Sequence, residues 1–108
     1  MSKTKIKQLA EKMGWKLRSN PKTIKPGDCW MRGDKLVIYP SRGKPDRIWD
    51  PESSDADMVD LLEKLLEDGF QITLSAGSGY FSINSLTNEA TLRAAVVAFA
   101  CRCWGIEE

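Results

Sequence analysis

The chain has 108 residues, 42% hydrophobic and 29% charged, with a net charge of +1. That length can close one hydrophobic core without metals or disulfides, so a single domain over residues 1–108 is expected. No stretch approaches the roughly 18 apolar residues of a membrane span, and the basic start from Met1 to Lys7 meets Gln8, Glu11 and Lys12 rather than a signal-peptide core, so neither a membrane nor an export role is expected. Cys29, Cys101 and Cys103 form an odd set in a chain without an export signal, so reduced thiols in a cytoplasm are expected.

Charge is distributed unevenly. Thirteen Lys or Arg against four acids give +9 up to Trp49, and the remainder carries −8. Such asymmetry fits a basic face for an anionic partner, or two halves that attract each other within one fold.

Ile6, Leu9, Ala10 and Met13 recur at helical spacing, with Ser2 or Thr4 as cap and Gly14 as a left-handed terminus. Lys3, Lys5 and Lys7 crowd the positive end of that helix, where cations are disfavoured, so solubility or an acidic contact explains them better than helix stability. Trp15 to Arg18 fits a brief strand, and Ser19 to Asp28, with Pro21, Pro26 and Gly27, a loop. Cys29 to Arg32 and Lys35 to Tyr39 flank Gly33-Asp34 as a hairpin that Pro40 ends. Ser41 to Ile48 is expected as an exposed connection.

A second helix is expected from Ser53 or Ser54, with Ser54 and Asp57 spaced as a capping box. Met58, Leu61, Leu62, Leu65 and Leu66 form its wide apolar stripe, opposite Asp60, Glu63, Lys64 and Glu67, and Gly69 stops it. Phe70, Ile72 and Leu74 then alternate with Gln71, Thr73 and Ser75, and Tyr80 to Asn84 follows Gly77-Ser-Gly79 as a second hairpin. The last helix is expected from Thr87 or Asn88, with Glu89 in its first turn, to about Gly105. Its run from Ala94 to Cys101 is apolar around the whole circumference, more than one buried flank requires. The expected fold is therefore α+β, a small sandwich of three helices and an antiparallel sheet built from two hairpins, in the order α-ββ-α-ββ-α.

The stretch Trp49-Asp-Pro-Glu-Ser-Ser-Asp-Ala-Asp leads into Leu61-Leu-Glu-Lys-Leu, Gly69-Phe, a hairpin, and Arg93-Ala-Ala followed by small residues. With the first helix closing on Gly14-Trp15, this pattern resembles small phage-encoded proteins of the phage ABA sandwich domain family. The resemblance covers most of the chain and is strongest from Trp49 to Trp104. It implies an α/β sandwich in a phage or prophage protein, in a family whose molecular activity is not established.

No residue set carries catalysis. There is no His to act as general base, and Cys101 and Cys103, two apart on a helix, point about 200° away from each other and cannot chelate one zinc. Asp50, Asp55, Asp57 and Asp60 lack the spacing of a calcium loop and fit the electrostatics of a helix start. Gly77-Ser-Gly79 opens a strand rather than a helix and is a turn, not a phosphate cradle. No catalytic residue, metal or cofactor is therefore expected.

Two binding readings remain. In the first, the surplus apolar side of the last helix meets a protein partner or a second copy, with Ala94, Ala95, Ala98 and Ala100 allowing close approach and Val97, Cys101 and Trp104 forming the contact ridge. The bland alternative makes that helix the central one, covered by the other helices and the sheet. In the second, Trp15, Trp30, Trp49 and Tyr39, interleaved with cations, stack on bases while Lys22, Lys25, Arg42, Lys44 and Arg47 on loops neutralise phosphates. Non-enzymatic protein binding in a bacterial cytoplasm is the preferred expectation, and nucleic-acid binding the alternative.

Overall fold

A computed structural model describes residues 2–19, 25–39 and 45–106. The chain divides into two compact units, one reaching Asp50 and the other spanning Pro51–Ile106.

The first unit opens with α1 (Lys3–Lys12), whose N-cap Ser2 accepts the Lys5 N–H at 3.2 Å. Ile6, Leu9 and Ala10 form its buried face, and Gly14 takes the left-handed φ of 89° expected after a helix end. Four strands follow: β1 (Lys16–Leu17), β2 (Asp28–Arg32), β3 (Lys35–Ile38) and β4 (Arg47–Trp49). They form one sheet in sequence order, with β1 parallel to β2 and the other pairs antiparallel. Paired residues share a face, so Cys29 with Ile38 and Leu36 with Trp49 make one apolar layer, while Trp30 with Val37 line the other face. All six are buried, and α1 lies against β1 and β3. Trp15 meets Trp49 edge-on, with ring centroids 5.0 Å apart.

The second unit begins with α2 (Asp55–Glu67), capped by Ser54, whose hydroxyl accepts the Asp57 N–H. Strands β5 (Leu74–Gly77) and β6 (Tyr80–Ile83) form a separate two-stranded sheet. Gly77 leaves room for the Tyr80 ring, which lies 2.6 Å from where a Cβ would stand. Helix α3 (Leu92–Trp104) is capped by Thr91 and ended by Gly105 at φ 67°. It packs on α2 and β6, and Arg93 ties it to the start of α2 through the Glu52 carbonyl at 3.1 Å and Asp55 at 2.7 Å.

Three expectations need correction. Among the described residues the strands form sheets of four and two, in the order α-ββββ-α-ββ-α with one parallel pair, rather than one antiparallel sheet from two hairpins. Arg47 and Ile48, expected in a connection, pair with Ile38 and Val37 as part of β4; three residues are too few for alternation to stand out against a charged surrounding. Helix α3 starts at Leu92, because Glu89 is held by the backbone of Phe81 in both directions, at 2.7 and 2.9 Å, and the Thr87 hydroxyl accepts the Ile83 N–H.

Asn84 makes that return possible. It adopts a left-handed φ of 53°, its Oδ1 accepts the Thr73 N–H and its Nδ2 donates to the Gln71 carbonyl, both at 2.6 Å. Asn84→Gly keeps the backbone shape and deletes both side-chain bonds, with an expected loss of about 1–2 kcal/mol. Urea unfolding checks this, and an unchanged midpoint would show that the clasp contributes nothing.

Candidate functional site

The proposed contact ridge on α3 does not lie on the surface. Val97 is 1% exposed and Cys101 8%, and the other buried residues of the helix, Ala95, Val96, Phe99 and Ala100, point in every other direction but one. At about 100° per residue, only a narrow strip through Ala94, Ala98 and Arg102 is left outward. Ala94 and Ala98 are half-buried, and Trp104 is held by its Nε1–H donating to Asp68 at 3.1 Å. Within this unit α3 packs on α2 and β6, and six of its residues are buried.

Of the five residues expected to meet nucleic acid, two are described. Lys25 is exposed and Arg47 half-buried on β4, while Lys22, Arg42 and Lys44 lie outside the described residues. Trp30 is 8% and Trp49 1% exposed, so two of the three indoles expected to stack on bases belong to the core. Exposed cations are nonetheless a property of this unit, among them Lys3, Lys12, Lys16, Arg32 and Lys35. A cleft of about 360 Å³ is lined by Lys7, Leu17, Arg18, Ser19 and Met31. Arg18 there donates to the buried Asp28 carboxylate at 3.1 Å, which leaves its charge largely neutralised.

The thiols are not set up for chemistry. All three are unbridged, and burial, helped by the nearby Asp28 and Glu11 charges, pushes Cys29 up to about 11. Burial also raises Cys103, against a lowering by Arg102. Both are protonated, weakly nucleophilic thiols at neutral pH. Among the described residues no three His, Cys, Asp or Glu side chains gather to hold a metal ion, and no helix is long and apolar enough to cross a membrane.

Exposed apolar surface collects instead at places the sequence reading passed over. On α2, Met58, Leu61 and Leu65 are buried, but Leu66 is 57% and Val59 43% exposed, with Leu62 half-buried between them. Relative to Met58, Leu62, Leu66 and Val59 stand about 40°, 80° and 100° around the axis, and Glu63 and Glu67 border them farther out. The signal was legible: an apolar stripe wider than about 100° must emerge on one edge. The hairpin adds a second place, since every residue of β5 is exposed, Leu74 at 49%.

No protein-family model, curated protein or solved structure matches this chain.

The Arg18–Asp28 pair generates a pH dependence. Burial pushes the Asp28 carboxyl up, but the Lys25 N–H, the Arg18 hydrogen bond and charge, and Lys16 together outweigh it and hold it below the ordinary carboxylate value. Its stabilising contribution is therefore complete above about pH 4 and lost as the pH falls through the depressed value. Asp28→Asn should flatten the fall in stability below about pH 4, measured by denaturant unfolding. An identical pH slope in the variant would contradict this assignment.

Proposed function

We propose that the chain is a small non-enzymatic interaction module of phage or prophage type, acting in the bacterial cytoplasm and docking a protein partner through the outer edge of α2. The observation that carries this reading is the row Val59, Leu62 and Leu66, with two members about half exposed beside the buried Met58, Leu61 and Leu65. Large side chains at i, i+3 and i+7 offer a continuous strip for an apolar partner surface. The flanking Glu63 and Glu67, with Asp60 beyond, favour a partner whose apolar strip is bordered by Lys or Arg. The resemblance to the phage ABA sandwich family supports the phage-type setting.

The exposed cations of the first unit keep nucleic-acid binding as the second reading. The two separate on one experiment. Val59→Glu and Leu66→Glu alter exposed positions and should leave the far-UV spectrum and unfolding midpoint nearly unchanged. Bacterial proteins retained by the wild-type chain after nuclease treatment should be lost from both variants by at least about tenfold, the equivalent of 1.4 kcal/mol. Retention that disappears with nuclease, falls with salt and depends on Lys25 and Arg47 rather than Val59 and Leu66 would overturn the protein-docking reading.

A further inference from the structure

The β5–β6 hairpin has one edge closed and one edge open. The Phe81 N–H and C=O both bond Glu89, and those of Ile83 bond the Thr87 hydroxyl and the Leu86 N–H, so these groups point away from β5. In an antiparallel pair, residues facing each other across the ladder alternate between exchanging bonds and turning them outward. Ala76 pairs with Phe81 and Leu74 with Ile83, so the N–H and C=O groups of Leu74 and Ala76 face outward along the free side of β5. Both residues are exposed.

Edges of this kind are normally guarded by Lys, Pro or a bulge. From Phe70 to Asn88 the sequence contains no charged residue and no proline. An uncharged edge meets its own copy without repulsion, whereas the rest of this unit, carrying Asp55, Asp60, Glu63, Glu67 and Asp68, would repel a copy brought against it. The pattern of outward groups is also self-complementary. A two-fold axis through Ser75 sets Leu74 opposite Ala76 of the second copy, and Ala76 opposite its Leu74, each pair exchanging two backbone bonds. The paired side chains fall on the face shared with Phe81 and Ile83, where the half-exposed Leu74 would be covered.

We infer that β5 is a self-pairing edge, joining two copies of this chain antiparallel about Ser75 into a continuous four-stranded sheet. Because the far side of β6 is already occupied by Glu89 and Thr87, the pairing closes at two copies and does not propagate. Two four-residue edges make an interface below the standard size, so half-association falls between roughly 10 µM and 1 mM. This pairing is separate from the α2 docking strip.

Sedimentation velocity over about 10 µM to 1 mM, combined with amide hydrogen exchange, tests it. The wild-type mass should rise with concentration toward twice that of the chain, while the Leu74 and Ala76 amides become slower to exchange. Leu74→Lys places like charges on the shared edge, and Ala76→Pro removes an outward N–H at a position where an edge strand tolerates proline. Each should raise the midpoint at least about tenfold, with an unchanged Ser82 amide, which by the same alternation faces β5, reporting that the hairpin is still folded. Val59→Glu should have no effect on mass. A wild-type chain monomeric at 1 mM, or a dimer untouched by both edge variants, overturns the inference and leaves the α2 reading standing. A dimer lost only with Val59→Glu also overturns it, by moving self-association to the helix.

Discussion

The second unit depends on the enclosure of α3. Ala95, Val96, Val97, Phe99, Ala100 and Cys101 are all at most 8% exposed, on a helix that would be insoluble if left alone. Its small side chains at 95 and 100 reach 0% exposure with α2 and β6 packed on the helix, and the Arg93 clamp to Glu52 and Asp55 fixes where α2 begins relative to it. Once α3 takes the centre, α2 can bury only part of its wide apolar stripe. Leu66 and Val59 are what is left outside, and this exposed apolar strip accompanies the enclosure of Val97 and Cys101 on α3.

The first unit is organised differently, around aromatic and ionic contacts. Trp49 is almost wholly buried and is met edge-on by Trp15, so two indoles that could have stacked on bases are used to anchor the start and end of this unit. Its Nε1–H is buried without a hydrogen-bond partner among the described residues, which costs some stability at that point. Asp28, nearly buried at the head of β2, is tolerated because Arg18 and the Lys25 backbone satisfy it. The cations that remain on the surface are consistent with a solvated face as much as with an anionic partner.

Helix ends were legible in the sequence where they carry punctuation. Ser2 with Gly14, Ser54 with Gly69, and Gly105 bound periodic apolar residues, and the structure keeps all of these roles. The Gly33-Asp34 hairpin was legible for the same reason. The parallel strand β1 and the short β4 were not seen as parts of a sheet, since two or three residues carry no period and their pairing is set by distant neighbours. The start of α3 was misplaced because the bond between Glu89 and Phe81 is tertiary and leaves no local mark. Of the apolar residues named on α3, Val97 and Cys101 are buried, while exposed apolar side chains occur on α2 at Val59 and Leu66. Position 97 looks like surface only if one flank of α3 is covered, and three-dimensional enclosure cannot be counted from periodicity.

Two valines have different places in this packing, Val97 at 1% and Val59 at 43% exposure. Denaturant unfolding of Val97→Ala and Val59→Ala in the full chain compares them. A loss of about 2 kcal/mol for Val97→Ala, against under about 0.5 kcal/mol for Val59→Ala, is the expected result. Equal small losses would mean that Val97 is not enclosed, and would return the exposed apolar surface to α3.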